Sequence, residues 1–238
     1  MQEDKSTNLV STQNIESIFN KKYYLINSSI EKKVDEICKN GQQGQNLLLQ
    51  SIKQKIVVNK EDPDIIDGFI FQALMNTNTK SKLIRIMPNG VLNLRQSLNM
   101  NYQPLQDLLI NQEFKEADKI TQKYLCHLAQ LEKKTIRKWL YFTDIQLLPI
   151  EDLFALDKLW RIYSKGKFGF SVQKKIWINS DKNWDKMWEK VYWQDKGIMR
   201  RYPQEFIWTT EAPEGHLPLF NQLRGTQTLR SLFNIINW

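Results

Sequence analysis

Apolar positions along this chain recur mostly three and four residues apart, the spacing that gathers them on one face of an α-helix. In residues 1–95 they come in short groups divided by turn signals. The groups are Ile15, Ile18 and Phe19; Ile30, Val34 and Ile37, ending at Asn40-Gly41; Leu47, Leu48, Ile52 and Ile56; Ile65, Ile66, Phe69, Ile70, Ala73 and Leu74; and Leu83, Ile84 and Ile86, before Pro88-Asn89-Gly90. Asp62-Pro63-Asp64 reads as a helix start, with proline in the first turn. The pattern predicts antiparallel helices of a small bundle or of a repeat-like stack, with no clean fixed period. Residues 1–14 are polar and are expected to fray.

The stretch 96–104, QSLNMNYQP, reads as a linker. Pro104 opens a helix through Leu105, Leu108 and Leu109 that closes at Asn111. A second helix follows with Phe114, Ala117, Ile120, Tyr124 and Leu128 on one face, which makes a helical hairpin. The run from Thr135 to Pro149 places Ile136, Trp139, Leu140, Phe142 and Ile145 in a further predicted helix. Residues 150–164 carry Leu153, Leu156, Trp160 and Tyr163 on one stripe and stop at Lys165-Gly166, with the glycine in a C′ role. Ser171 is a candidate cap in KFGFSVQKKIW, and Asp181 or Asn183 caps a helix bearing Trp184, Met187, Trp188 and Val191. The predicted class is all-α, with an N-terminal helical bundle (1–95), a linker (96–104) and a C-terminal all-helical domain (105–238).

One stretch breaks this pattern: residues 197–225, GIMRRYPQEFIWTTEAPEGHLPLFNQLRG. Pro203 and Pro213 forbid a long continuous helix, so a long loop is expected until helical spacing resumes at Leu219 and Leu223 and is interrupted at Gly225. Loops of this length are usually functional or disordered, and the aromatics Tyr202, Phe206 and Trp208 argue against disorder. Two readings stand. A mobile apolar flap, beside a helix offering Asn221 and Arg224, suits a flat, apolar, anionic ligand; the alternative is a surface loop pinned by its own aromatics.

Composition narrows the function. Hydrophobic residues at 41% and charged residues at 25% are ordinary for a globular protein that buries a real core. No uncharged apolar run reaches the roughly 20 residues of a membrane span. The start, MQEDKSTNLV, resembles neither a signal peptide nor a transit peptide, so the protein is expected to act where it is made. Cys38 and Cys126 stand far apart and form no disulfide framework or zinc motif. Lys, Asn and Ile are abundant, a bias associated with an AT-rich genome such as that of an organelle. The net charge of +8 admits nucleic acid or another acidic partner, but the basic excess is spread along the chain among acids, as on a solvated surface. All eight tryptophans lie from Trp139 onward, so the two halves bury different kinds of surface. With two histidines, no phosphate-binding glycine loop and no nucleophile spaced with a base, there are no catalytic or metal-ligating candidates. Asp144 and Glu151 could pair as carboxylates, but nothing in their spacing demands it.

Four runs, EFKEADKITQKYLC, RKWLYFTDI, LDKLWRIYSKGKFGFSVQKKIW and EAPEGHLPLFNQLRG, follow in this order between Tyr102 and Trp238. On these motifs the chain resembles the Genomes Uncoupled Four family of tetrapyrrole-binding regulators of magnesium chelatase. The N-terminal half is similar only in its helical character, to the accessory bundle of cyanobacterial and algal members. The resemblance implies a domain shaped like a cupped hand that binds protoporphyrin IX and, more tightly, Mg-protoporphyrin IX, with no prosthetic group. It implies a monomer that stimulates magnesium chelatase in chlorophyll biosynthesis through the large porphyrin-binding subunit, without performing the chemistry. It also implies peripheral membrane association, no nucleic acid partner, and a location in the plastid stroma for a plastid-encoded algal member, or in the cytoplasm for a cyanobacterial one.

By the same resemblance, Phe142 and Ile145 line the palm, Met199, Arg200, Tyr202 and Leu217 belong to the flap, and Asn221 and Arg224 supply polar contacts. Met199 and Tyr202 stand where cyanobacterial relatives tend to carry tryptophan, and Gln227 where relatives carry a second arginine. Arg200 and Arg201 either touch propionates or solvate the loop. His216 is either an axial ligand to magnesium or a structural turn residue. Trp160, Tyr163, Trp184, Met187 and Trp188 read as core, Phe168-Gly169-Phe170 as packing around a tight turn, and His127 as structural. The competing function is a basic helical partner- or nucleic-acid-binding module, with flap aromatics stacking on bases.

Overall fold

The Asn27 side chain accepts the Ile30 N–H at 3.1 Å and starts α1 (Ser28–Lys39), whose Ile30, Val34 and Ile37 turn inward. The computed structural model describes residues 18–19, 21–94, 98–129, 139–219 and 226–238. They divide into two units, Met1–Asn93 and Leu94–Trp238. In the first, α2 (Gly41–Ile52) begins directly after Asn40, with Gly41 at a φ of +68°. Gly44 lets α2 cross α1 closely: a Cβ there would lie 1.9 Å from the Ile37 carbonyl oxygen. A wider helical turn (Lys53–Val58) leads to α3 (Ile65–Met75), which is buried on nearly every side and packs against α1, α2 and α4 (Lys80–Ile86). Asp64 caps α3 reciprocally with Asp67. Fully buried Asp67 also accepts from Lys55 Nζ at 2.7 Å, so its charge is matched.

The second unit is built on α5 (Gln103–Ile110), α6 (Phe114–Leu128), α7 (Ile150–Tyr163), α8 (Phe170–Ile178), α9 (Trp184–Lys190) and α10 (Thr226–Ile235). Its one sheet among the described residues is a hairpin, β1 (Gln194–Asp195) with β2 (Ile198–Met199). Trp160 is wholly buried, stacks on Phe114 and meets Phe168 edge-on. Its indole N–H donates to Thr121 Oγ1 at 3.0 Å, and the Tyr163 hydroxyl donates to buried Gln106 Oε1 at 2.8 Å. Every polar tip in this aromatic core is thereby satisfied. A second aromatic cluster joins Trp177, Trp184 and Trp188 to Phe233 of α10. Among the described residues no helix is long and apolar enough to cross a membrane.

Three expectations change here. The stretch read as a linker is held in the second unit from Asn99 onward: the Asn99 backbone and amide and the Tyr102 hydroxyl all donate to Asp152. The predicted helix before Pro149 is a 3-10 turn over Phe142–Leu147, because Asp144 folds back onto the Tyr141 N–H at 2.8 Å and Pro149 holds Leu148 extended. Residues 130–138 lie outside the described set. Ser171 does not cap α8 with its own side chain. Buried Asp157 takes that place, accepting the Ser171 N–H at 2.8 Å and its hydroxyl at 2.7 Å.

Asp157 also explains Phe168-Gly169-Phe170. Gly169 has a φ of +134°, and a Cβ on it would lie 2.8 Å from Asp157 Oδ1. Gly169→Ala is expected to destabilise the second unit by more than about 1 kcal/mol, since strain and a clash coincide. Urea unfolding followed by tryptophan emission reads that unit alone, because all eight tryptophans belong to it; an unchanged midpoint would refute the account.

Candidate functional site

Lys196 and Gly197, both at positive φ, close the β1–β2 hairpin. Irregular chain then runs from Arg200 to Leu219, and buried polar side chains of neighbouring helices hold it in place. The Gln173 amide of α8, which is wholly buried, donates to the Gly215 carbonyl at 3.0 Å and the Pro218 carbonyl at 2.8 Å. The Gly169 N–H donates to Leu217 O at 3.0 Å, and Gly215 N–H to Lys167 O at 2.8 Å. Gly215 is required: at a φ of +74° its Cβ would meet Ile176 Cδ1 at 2.6 Å. The Leu219 N–H reaches Asp118 Oδ1 of α6 at 2.6 Å. The expected mobile flap is therefore a bonded loop.

His216 sits at its centre. Nδ1 lies 2.6 Å from Val191 O, Nε2 accepts the Ile207 N–H at 3.1 Å, and the Trp193 indole donates to the His216 carbonyl at 2.7 Å. Since a carbonyl accepts and an N–H donates, the ring is neutral with its proton on Nδ1. Burial pushes its pKa down to about 4, against the opposing pull of the Val191 hydrogen bond. Both nitrogens are committed, so of the two readings of His216 the structural one holds.

The expected site residues separate by environment. Tyr202 is 40% exposed and meets Trp208 edge-on, with Phe206 beside it. Its hydroxyl feels Asp118, Lys119 and Glu116 of α6, while burial chiefly raises its pKa. Met199 is half-buried on β2. Arg200 is held within the loop: its guanidinium lies 3.4 Å from the Tyr192 ring centroid, pairs with Asp195 at 3.6 Å and donates to Glu205 O at 3.3 Å. Arg201 is exposed, its backbone N–H bonded to Glu205. Leu217 and Ile145 are fully buried, beneath the surface rather than on it, whereas Phe142, in the 3-10 turn, is 49% exposed. Asn221 and Arg224 lie outside the described residues, as does the expected helical spacing from Leu219 to Leu223. Beyond them α10 begins at Thr226 and packs against the 3-10 turn.

The second unit exposes large apolar side chains mainly in one stretch of chain: Trp139, Tyr141, Phe142, Leu147, Ile150 and Phe154. Such concentration marks a binding surface more often than a solvated one. No cluster of three or more potential metal ligands occurs among the described residues. Sequence reasoning missed Asp118 and Gln173, although the signal was present. Asp118 stands four residues after Phe114 on the buried face of α6, and Gln173 falls between Phe170 and Trp177 on that of α8.

His216 has a stability consequence. With its folded pKa depressed from 6.5 to about 4, the unfolded chain binds the proton more readily, so stability is full above pH 6.5 and falls as pH drops toward 4. The loss is on the order of 3 kcal/mol. An imidazole NMR titration should show His216 unchanged from pH 8 to pH 5.5; a midpoint near 6.5 would contradict the buried, doubly bonded ring.

A family model described as GUN4-like matches residues 95–235. The ycf53 protein of Porphyra purpurea is 45% identical over 177 residues, covering 73% of this chain and 74% of that protein. The chloroplastic tetrapyrrole-binding protein of Arabidopsis thaliana is 38% identical over 139 residues, covering 55% of this chain and 52% of that protein. Among solved structures, GUN4 of Chlamydomonas reinhardtii aligns with a TM-score of 0.54 at 37% identity, over 60% of this chain and 91% of its own. Ligand-free Arabidopsis thaliana GUN4 aligns with a TM-score of 0.51 at 38% identity, over 56% of this chain and 94% of its own. With the matched region spanning the helical unit, its pinned aromatic loop and its exposed apolar run, this chain belongs to the GUN4 family.

Proposed function

We propose that this protein binds protoporphyrin IX and, more tightly, Mg-protoporphyrin IX, and that it stimulates magnesium chelatase through its large porphyrin-binding subunit as a non-catalytic regulator. The observation that carries this reading is the exposed apolar run from Trp139 to Phe154, in a unit that also presents Met199 on β2 and Tyr202 on a loop held by buried side chains. A porphyrin is a wide aromatic plate with two propionates, which calls for apolar walls and a few cations or amides at the rim. Phe142, Met199 and Tyr202 serve as walls, and Ile145 and Leu217 back them from beneath. Arg201 is the loop cation best placed for a propionate, since Arg200 is engaged by Tyr192 and Asp195. Asn221 and Arg224 complete the rim in this proposal.

Magnitudes support a reversible carrier. Burying ~300 Å² of apolar surface yields about 7 to 8 kcal/mol at ~25 cal/mol per Å². Association removes about 4 kcal/mol or more, which leaves micromolar or weaker binding from stacking alone. Charge-assisted contacts to the propionates, each adding roughly 1.5 to 3 kcal/mol where shielded, then tune the affinity. Family relatives in red algae and a chloroplastic relative favour a plastid location, and the similar Synechocystis protein admits a cyanobacterial cytoplasm.

The test is a titration with deuteroporphyrin and its magnesium complex, following ligand absorbance. Saturable binding in about the low-micromolar range is expected, tighter for the magnesium form. Phe142→Ala should weaken it about tenfold with the unfolding midpoint nearly unchanged, because an exposed ring contributes little to the core. Absence of a saturable shift would sink the reading. Binding of single-stranded nucleic acid that collapses with added salt would favour the competing basic module instead. Added to a magnesium chelatase assay, the protein should raise the rate and show no turnover alone.

A further inference from the structure

Tyr192 sits where a bulky side chain is unwelcome. Its N–H bonds to Glu189 O at 3.1 Å and the Trp193 N–H to Trp188 O at 2.8 Å, the pattern that ends a helix on a left-handed residue. Tyr192 accordingly has a φ of +60°, where glycine is unstrained and a ring is not. Among the described non-glycine residues at positive φ it is the only aromatic one. Such strain persists where the surrounding structure holds the residue in place, as at ligand sites. Here the Arg200 guanidinium covers the ring at 3.4 Å from its centroid, a flat stacking contact that an ammonium cannot reproduce.

The Arg200 side chain is 15% exposed, and Asp195 lies 3.6 Å from Nη2, so its charge is answered within the hairpin. Nη1 donates to Glu205 O at 3.3 Å. The Glu205 N–H donates to Arg201 O at 3.1 Å, and Glu205 Oε2 accepts the Arg201 N–H at 2.7 Å. These three bonds close residues 200–205 into a turn, and Tyr202 stands in it with its ring edge-on to Trp208. We infer that Tyr192 and Arg200 form one positioning device for tetrapyrrole binding: Tyr192 orients the Arg200 fork, the fork holds the turn, and the turn sets the Tyr202 ring. The inference rests on the tetrapyrrole reading and refines it, since Arg200 then acts on the ligand through the shape of the loop and not as a partner for a propionate. Shape needs a planar group with two donors in fixed directions, whereas a charge contact needs only a cation, so lysine separates the two.

The test titrates full-length wild type, Tyr192→Gly and Arg200→Lys with magnesium deuteroporphyrin at two salt concentrations, following ligand absorbance, and unfolds each protein in urea. Both variants should bind about fivefold to tenfold more weakly, as loss of a shielded cation–π contact implies, with the salt dependence of the wild type. Tyr192→Gly relieves backbone strain, so its unfolding midpoint should not fall. A purely structural role would instead lower the midpoint and leave the affinity of the folded protein unchanged. Combined with Tyr202→Leu, neither substitution should weaken binding further, because the ring that the device positions is gone. Without ligand, the nuclear Overhauser contact between the Tyr202 and Trp208 rings should be present in the wild type and weaker in both variants. Wild-type affinity in Arg200→Lys or Tyr192→Gly, losses that add to that of Tyr202→Leu, or an unchanged ring contact would each overturn the positioning device. Absence of saturable binding by the wild type would sink the tetrapyrrole reading itself, and this inference with it.

Discussion

The second unit depends on how backbone groups of an irregular, buried chain find partners away from water. Residues 200–219 form neither helix nor ladder, yet Gly215 to Leu219 lie inside the protein. An unpaired buried carbonyl or N–H costs about as much as a lost hydrogen bond, so such a loop persists only if side chains supply what secondary structure does not. Gln173, Trp193, His216 and Asp118 do this, each from a buried position and each toward a specific backbone group. Glycines at 169 and 215 provide the room, since a Cβ at either would collide with the helices that hold the loop.

That scaffold is what lets an aromatic surface stand in water. Tyr202 and Trp208 are half-exposed rings on a loop whose far end is fixed by buried bonds, and the Trp208 indole donates to Pro203 O. Opposing them in character, though on other elements, the chain from Trp139 to Phe154 leaves its apolar side chains outside while Leu140, Ile145 and Leu153 go inside. A rigid apolar surface loses less conformational freedom when it takes up a flat ligand than a mobile flap does. The loop's own arginine at 200 also serves rigidity, stacked on Tyr192 and paired with Asp195.

Much of the fold was legible. The stripes Ile30-Val34-Ile37 and Leu153-Leu156-Trp160-Tyr163 appear as α1 and α7, the acidic start at Asp64 caps α3, and Asn183, one of two candidate caps, accepts the Lys186 N–H to open α9. The core readings of Trp160, Tyr163 and Met187 hold, with all three fully buried. Helix α10 carries the same helical spacing in its buried Leu229, Leu232 and Phe233. The run before Pro149 misled, because helical apolar spacing alone does not separate an α-helix from a 3-10 turn that a folded-back aspartate stabilises.

By itself the sequence determined the helical class, most element positions, the long irregular segment after Gly197 and, through its motifs, the family. These follow from periodicity, caps and prolines, which act over a few residues and are written locally. Tertiary structure alone decided which polar residues hold the loop, that His216 is neutral with both nitrogens engaged, that Arg200 turns onto Tyr192, and that Asp118 loses its water to Leu219. Each of these outcomes rests on groups far apart in the chain, and burial, which sets both the hydrogen-bond demand and the pKa, exists only once the helices have packed.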